Sequence, residues 1–487
     1  MAWSLIESDY SEYVKLNNGK ITDTPIPQGE GGLGSPVRHP IPWQEPGFYD
    51  EGELDTELRR VFDICHGCRR CFNLCDSFPR LFDLIDESES GELDSVDSKD
   101  FKQVADACTL CDMCFMTKCP YVPPHRFDLD FPHLMLRYRA VENAQKKTTY
   151  THRQISKTDR NGRVMSYLSL AVNWASKLEN KLLRTLIEFS SGIDRRAVLP
   201  KFYRKSFNIR SKSLSSIVNE SAPAYGRKAV LYSTCFVNFN NPEMGELTQK
   251  VLTHNGVLTK TVYPNCCGMP QFEQGNLEEV ASNAIKVAKE MVKWIDEGYD
   301  IIALTPSCSL MLKFEWPLIL SGNVDITRLS RATFDISEYI VNIAKNEGLA
   351  DGLQALPGGV ALHLACHSRA QNMGKKAAEL LKLIPDGNIK VIERCSGHGG
   401  TWGIYKDNFE TALKVGKPVV RQVGEMPFIS SECPLAADHI LQGIEFQQKR
   451  NVDNIDELKS LPNRTYHPLE LFAMSYGLFN NNEKNKG

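Results

Sequence analysis

Eight cysteines crowded into one short stretch constrain this chain more than any other feature. They form two runs, in which three cysteines recur at every third residue and a fourth follows a few residues later. The runs are Cys65-x2-Cys68-x2-Cys71-x3-Cys75 and Cys108-x2-Cys111-x2-Cys114-x4-Cys119-Pro120. The N-terminus shows neither the basic nor the apolar segment of a secretory signal, so we expect these thiols to bind metal and not to form disulfides.

Steps of three residues wrap a tight loop around three corners of an iron–sulfur cubane, and in two-cluster ferredoxins the fourth cysteine of a run ligates the other cluster. The spacing therefore predicts two [4Fe–4S] clusters in an N-terminal α-helical ferredoxin domain. The predicted ligands are Cys65, Cys68, Cys71 and Cys119 for the first cluster, and Cys108, Cys111, Cys114 and Cys75 for the second. Zinc is the alternative, but zinc sites seldom pack four cysteines this closely twice. Asp76, where proline is usual, and one extra residue before Cys119 depart from the pattern without removing a ligand.

The seven other cysteines follow a repeated α/β pattern. Apolar runs typical of buried strands, such as 228–233 and 360–365, alternate with helical stretches and end near a cysteine. In each half, about thirty residues and then about forty separate the cysteine positions, which indicates a tandem duplication. Open α/β sheets build their sites at the carboxyl edge, where these cysteines are expected. They are Cys235, Cys266, Cys267 and Cys308 in the first half, and Cys366, Cys395 and Cys433 in the second.

The same patterns divide the chain into six segments. We expect an extended arm over 1–55, the ferredoxin-like domain over 56–145, a helical and basic linker over 146–222, the first α/β domain over 223–348, the second over 349–476, and a polar tail over 477–487. The glycines from Gly29 to Gly34 follow no strand pattern, so they predict a linker and not a phosphate-binding loop.

One part of the linker has the character of a surface helix. Apolar residues recur at spacings of three and four over 164–190, which predicts one amphipathic helix, and a basic run follows over 195–212. Most amphipathic helices pack on their own protein, so domain docking is the first expectation, and contact with an anionic membrane surface is the alternative. No stretch reaches the roughly 18 apolar residues that a membrane span needs.

Five motifs carry a specific resemblance to known proteins. They are CFVNFNNPEMG (Cys235 to Gly245), CCGMP (Cys266 to Pro270), PSCSLMLK (Pro306 to Lys313), LHLACHSRAQNMG (Leu362 to Gly374) and ERCSGHGGTWG (Glu393 to Gly403). The C-terminal two-thirds resembles the CCG domains found in heterodisulfide reductases. The whole chain from about residue 56 resembles the iron–sulfur subunits of anaerobic glycerol-3-phosphate dehydrogenases. The resemblance implies tandem CCG domains, with a further iron–sulfur centre in the first.

The chain departs from heterodisulfide reductase, in which five cysteines hold a noncubane [4Fe–4S] cluster. Met311 stands at the fifth position in the first half, and Ser396 and Ala436 stand at cysteine positions in the second. A hydroxyl is a poorer ligand for cluster iron than a thiolate, so we expect the first half to be redox-active. The second half is expected to hold a degenerate centre or to serve as a packing partner. His367 and His398 either replace missing thiolates or are loop histidines bonded to the backbone.

The sequence thus predicts an iron–sulfur electron-transfer subunit of an oxidoreductase. By resemblance, electrons pass from a flavoprotein-type dehydrogenase through two cubanes and a CCG-domain centre to quinone or to a protein acceptor. A disulfide or thiol oxidoreductase of the heterodisulfide reductase type is the alternative, and a scaffold with zinc or no metal at the CCG cysteines is a third interpretation. The net charge of −3 gives no indication of nucleic-acid binding. We expect a cytoplasmic protein, either free or peripheral on the inner face of the cell membrane.

Overall fold

Two parallel β-sheets organise the C-terminal part of the chain. The computed structural model describes residues 36–214, 217–424, 426–451 and 464–479. The first sheet has the order β2-β1-β3-β4 and consists of β1 (Lys228–Tyr232), β2 (Leu258–Val262), β3 (Asp300–Ala303) and β4 (Thr333–Asp335). The second sheet has the order β6-β5-β7 and consists of β5 (Gly359–His363), β6 (Asn388–Ile392) and β7 (Phe428–Ser431). Every strand pair is parallel.

The two sheets repeat one arrangement, which confirms the predicted duplication. In each sheet the first strand of the half lies between the second and the third, and its side chains are almost all buried, because helices cover both faces. We call the part from β1 to residue 346 the first half and the part from β5 to residue 451 the second half. The six strands predicted from apolar runs are all present. Strand β4 was missed, because three residues are too short to show an alternation.

Short helices connect and cover these strands. The N-terminal helical region, residues 46–144, contains α1 (Glu51–Cys68), α2 (Ser77–Asp86), α3 (Lys102–Ala107) and α4 (Phe131–Ala144). The linker contains α5 (Tyr150–Ile155), α6 (Thr158–Tyr167), α7 (Ser169–Ala175), α8 (Lys181–Ser191) and α9 (Phe207–Arg210). The first half contains α10 (Cys235–Phe239), α11 (Pro242–His254), α12 (Met269–Glu273), α13 (Leu277–Asp296), α14 (Pro306–Leu310), α15 (Trp316–Ile319), α16 (Val324–Ala332) and α17 (Ile336–Asn346). The second half contains α18 (Cys366–Ala370), α19 (Lys376–Lys382), α20 (Phe409–Val423) and α21 (Pro434–Asn451), and α22 (Pro468–Ser475) follows.

The N-terminal helical region and the first half share one hydrophobic core. In α1 the buried residues Leu54, Leu58, Val61 and Phe62 recur at helical spacing and face α4. The same cluster of buried side chains continues into α13 and the cysteine loops of the first half. Because such a core cannot be divided without exposing apolar surface, the two regions form one packed unit.

The single helix predicted over 164–190 is wrong. The segment is broken into α6, α7 and α8, with turns at Leu168 and over 176–180. Its large apolar side chains point outward: Leu182 is 75% exposed and Phe189 is 92% exposed. In the described part of the chain these side chains do not pack on the protein itself, and no helix there is long and apolar enough to cross a membrane.

The segment before α1 ties the helical region to the first half. Arg38 forms ion pairs with Asp112 (2.7 Å), Asp130 (2.9 Å) and Glu315 (3.1 Å), the last of which belongs to the first half. His133 bridges Asp130 and Glu315 in the same network. The glycines from Gly29 to Gly34 lie outside the described residues.

Candidate metal centres

The first group of thiols forms where α1 ends. Cys65 and Cys68 lie in the last turn of α1, and the left-handed backbone of Arg69 (φ 50°) turns the chain back towards Cys71. The Cys65 thiol faces the thiols of Cys68, Cys71 and Cys119. Burial, and then repulsion from these neighbours, raises the pKa of Cys65. The structure therefore brings together the four cysteines assigned to the first cluster.

The second group of thiols forms in the loop that follows α3. Two residues within this loop have positive φ angles, which turn it tightly enough to gather its cysteines. The Cys114 thiol faces Cys111, Cys108 and Cys75. Burial raises the pKa of Cys108 to about 11. The fourth cysteine of each run thus lies with the other run's cysteines, since Cys75 joins the second group.

The donor atoms of both groups are suited to iron–sulfur clusters. Each group offers four sulfur ligands, which these clusters prefer. Among the residues that the structure describes, no three His, Cys, Asp or Glu side chains converge closely enough to hold one metal ion. A cubane does not require such convergence, because each thiolate binds a different iron. Ligation by these eight cysteines stays a prediction.

A third group of thiols lies at the carboxyl edge of the first sheet. Cys235 follows β1, Cys266 and Cys267 follow β2, and Cys308 follows β3. The sulfur atoms of Cys266 and Cys235 are 3.6 Å apart, and the Cys267 thiol contacts those of Cys266 and Cys308. Hydrogen bonds from Cys235 and Cys267 lower the pKa of Cys266. Four potential ligands therefore lie side by side at this edge, whereas Met311, at the fifth position, is fully buried in a π-helical turn.

Two side chains outside the predicted motifs support this third group. Asp159 of α6 accepts hydrogen bonds from the Cys266 N–H (3.0 Å) and from the Tyr263 hydroxyl. The Trp316 indole N–H donates to the Cys267 carbonyl oxygen over 3.0 Å. Neither side chain was predicted from the sequence, because neither residue belongs to a spacing pattern and Asp159 lies in the linker.

The second half places its first two cysteines beside the second group of thiols. The Cys366 thiol is within hydrogen-bonding contact of both Cys111 and Cys395. The Cys395 sulfur also accepts from the Gly397 N–H over 3.3 Å. The hydrogen bond from Cys366 outweighs burial and lowers the pKa of Cys395 to about 7. The principal neighbours of the Cys433 thiol are instead the backbone N–H groups that follow it in α21.

The two histidines considered as substitute ligands differ in their surroundings. Both ring nitrogens of His367 have partners, since Nδ1 lies 2.8 Å from the Ser307 Oγ and the ring also bonds the Leu110 carbonyl. His367 therefore has the character of a histidine bonded to its surroundings. The His398 Nε2 is buried, with no hydrogen-bond partner among the described residues, and its ring lies 5.9 Å from the ring of His439.

Comparison with known proteins agrees with this architecture. Residues 229–313 and 360–435 each match the cysteine-rich (CCG) domain family. The chain is 30% identical over 274 residues to the C subunit of anaerobic glycerol-3-phosphate dehydrogenase from Escherichia coli (strain K12), covering 56% of this chain and 67% of that protein. It is 28% identical over 218 residues to lactate utilization protein A of Bacillus pumilus (strain SAFR-032), covering 42% of this chain and 87% of that protein. The first matched stretch covers β1 to β3 and the second covers β5 to β7, each with its cysteine loops.

Proposed function

Because this chain belongs to the family of the C subunits of anaerobic glycerol-3-phosphate dehydrogenases, with two CCG domains, we propose that it is the electron-relay subunit of an oxidoreductase complex. The observation that supports this most is the arrangement of its thiols. The three groups of sulfur ligands lie in or at the edge of one continuous hydrophobic core, and the second half contributes two thiols beside the second group. Such a row of one-electron sites is what a relay requires.

The two N-terminal groups would hold two [4Fe–4S] clusters. Each cluster would supply a one-electron carrier, because four protein thiolates leave no iron open to a substrate. The protein's own contribution is to bury these sites: burial raises the pKa of Cys114 and Cys75, so cluster binding has to drive off their protons. The third group, at the first CCG domain, would hold a further iron–sulfur centre with the four thiolates present.

The name of one relative supports a direction for the proposed relay. One relative is named as a single subunit of a dehydrogenase, which implies a separate catalytic subunit, so we propose that a flavoprotein-type dehydrogenase delivers the electrons. They would pass through the two clusters and the CCG-domain centre to quinone or to a protein acceptor.

A disulfide or thiol oxidoreductase is the second candidate, and one contact favours it. The thiols of Cys366 and Cys395 touch, and Ser396 replaces the cysteine that would bridge a noncubane cluster. If this pair reacts with sulfur substrates, the isolated chain should reduce low-molecular-weight disulfides when supplied with a one-electron donor. Absence of such turnover, with all clusters in place, would leave the relay as the function.

The metal content tests the relay directly. Anaerobically purified full-length protein should carry at least about eight irons per chain, from two clusters of four, and should show two interacting paramagnets on reduction. Cys75→Ser should disturb the cluster of the second group, and Cys119→Ser the cluster of the first. Zinc in place of iron, or a single cluster, would contradict the assignment.

We also propose that the linker makes peripheral contact with the inner face of the cell membrane. Exposed apolar side chains on α7 and α8 lie in the same segment of the chain as the exposed basic residues Arg204 and Lys205. An anionic surface would attract the basic residues, while the apolar ones enter the interface. Binding to anionic vesicles should therefore fall with rising salt and with Arg204→Glu/Lys205→Glu. Lys286→Glu/Lys289→Glu, on exposed α13 positions, is the matched control and should bind normally.

A further inference from the structure

A cavity of about 670 Å³ lies where the helical region, the linker and both halves meet. Four groups of its wall are chemically informative. They are the second-cluster thiol of Cys108, the aromatic rings of Phe189, Trp402 and Tyr405, the imidazole of His152, and the carboxyl group of Glu273. The first-half and second-half cysteines lie elsewhere, so this cavity is separate from the CCG sites described above.

We propose that this cavity binds the head group of a quinone and is a second exit, at which electrons leave directly from the second cluster without passing through the CCG-domain centre. The proposal rests on the proposed function, because it draws its electrons from the second cluster. Reduction of a quinone takes two electrons and two protons, and it converts both carbonyl oxygens into hydroxyl groups. A site for this reaction needs a one-electron donor at its wall, groups that deliver protons, aromatic surface for the ring, and an apolar entrance.

The electron donor is held at the wall by close packing. Cys108 lines the cavity, and the Arg139 guanidinium donates hydrogen bonds to the carbonyl oxygens of Cys108 and Ala105 and, over 3.0 Å, to that of Glu273. Gly399 of the second half packs closely against the same loop. Its φ angle is +54°, and a Cβ at this position would lie only 2.5 Å from the Thr109 side chain. The cavity wall therefore joins the cluster loop rigidly to both CCG domains.

Groups able to deliver protons line the cavity on the side of the second half. His152 packs against Tyr405 with ring centroids 4.5 Å apart. The Glu273 carboxyl lies against Gly400, where a Cβ would be 2.5 Å from its Oε1. Burial, partly offset by Arg139, raises the pKa of Glu273 to about 7, so this group can give up and regain a proton near neutral pH. The carboxyl can thus deliver a proton to one quinone oxygen, and the imidazole, whose pKa burial lowers so that it is neutral near pH 7, can pass a proton from solvent to the other.

Two hydrogen-bond donors in the wall have no acceptor among the described residues. The Trp402 indole N–H is buried and has no hydrogen-bond partner among the described residues. Tyr405 is only 9% exposed, and Thr401 lies beside its hydroxyl group. The hydroxyl proton has no acceptor among the described residues. Buried donors without partners are costly, and a quinone carbonyl is an acceptor that would satisfy them.

The entrance lies beside the exposed apolar helix. Phe189, at the C-terminal end of α8, lines the cavity and is 92% exposed, so the cavity reaches the surface there. Leu182 and Leu186 of the same helix are exposed as well, at 75% and 53%. An apolar quinone tail would follow this surface while the polar head group enters the cavity.

Binding of quinone-type probes to anaerobically purified full-length protein tests the proposal without turnover. The probes are a short-tailed benzoquinone, a naphthoquinone, and the fluorescent analogue 2-heptyl-4-hydroxyquinoline N-oxide. At least one probe should bind with a measurable Kd, and the benzoquinone and naphthoquinone arms identify the ring type that the site takes. Bound probe should also change the spectrum of the second cluster, which Cys108 would ligate, and leave the first unchanged.

Variants of the wall complete the test. Trp402→Leu removes a hydrogen-bond donor and an aromatic ring, and Tyr405→Phe removes a hydrogen-bond donor alone; each should weaken probe binding by about tenfold. Tyr299→Phe, a buried tyrosine of the first half away from the cavity, should bind normally. If iron content and cluster spectra are intact but no probe binds, or if all variants bind equally, the quinone site is wrong while the relay stands. Loss of the clusters themselves would instead contradict the relay.

Discussion

The thiol of Cys366, in the second CCG domain, lies in hydrogen-bonding contact with the thiol of Cys111, in the N-terminal helical region. The two residues are far apart in the sequence, and the contact is made where α18 begins. Packing around it is extensive: the His367 ring bonds the Leu110 carbonyl, and α18 packs against α14, which carries Cys308. The second half therefore adjoins both the second group of thiols and the third.

The Cys366 contact predicts an electronic link between the second cluster and the CCG domains. Cys366→Ala should keep the iron of both N-terminal clusters but change the signal of the second one and slow electron arrival at the CCG centre. Cys433→Ala is the matched control, because its thiol neighbours backbone N–H groups of α21, and it should leave the second cluster unaltered. Low-temperature spectra and freeze-quench kinetics measure both effects. Identical spectra for the two variants would show that the contact carries no electronic role.

Removing Arg38 should destabilise the folded chain. Arg38→Met leaves the buried Asp112 carboxylate without its cation and Glu315 with His133 alone, and breaking a buried ion pair typically costs about 3–5 kcal/mol. Arg60→Met removes an exposed pair with Glu57 and should cost less than about 1 kcal/mol. Urea denaturation of both variants under one buffer condition compares them, and equal midpoints would contradict a stabilising role for the network.

Two glycines with similar backbone angles should differ sharply on substitution. Gly275 has φ +71°, and a Cβ there would lie 2.4 Å from the backbone of Ala140 in α4; Gly298 has φ +80° with nothing within 4 Å. Gly298→Ala should lower the free energy of unfolding by about 1 kcal/mol, because a residue with a Cβ is strained in the left-handed conformation. Gly275→Ala should cost clearly more, because it also forces α4 away from the first half. Thermal unfolding followed by circular dichroism is the measurement, and similar melting temperatures would argue against tight packing at this junction.

Buried His363 should make the second half sensitive to acid. Burial lowers its pKa to about 4, and its nitrogens bond the Ser431 Oγ (2.9 Å) and the Arg394 carbonyl oxygen (3.0 Å). In the unfolded chain the His363 imidazole becomes protonated near pH 6.5, whereas in the folded chain it becomes protonated only near pH 4. Between these values the unfolded state binds more protons, so stability falls as pH falls, by roughly 3 kcal/mol at most. His363→Gln should flatten the dependence of the urea midpoint on pH over this window; an unchanged slope would assign the acid sensitivity to other groups.

Sequence patterns predicted the parts of this structure that depend on neighbours along the chain. The strands that precede Cys235 and Cys366, and their duplication, follow from short apolar runs and regular intervals. The break in the helix over 164–190 was missed, because apolar residues keep their spacing across the turn at 176–180 and periodicity cannot register a turn. The role of Asp159 and the contact between Cys111 and Cys366 depend on how distant segments pack, for which one sequence carries no local signal.

The three carboxylates around Arg38 also decide how the proposed relay would carry electrons. A carrier domain that swings between its donor and its acceptor moves through solvent, so its turnover slows as viscosity rises. Here Arg38 joins Asp112 and Asp130 of the helical region to Glu315 of the first CCG domain, and a shared apolar core lies beside this network. The thiol groups consequently keep constant separations, and in the proposed relay electrons would have to tunnel across fixed gaps. The rate of electron transfer between the thiol groups should therefore stay the same when glycerol raises the viscosity.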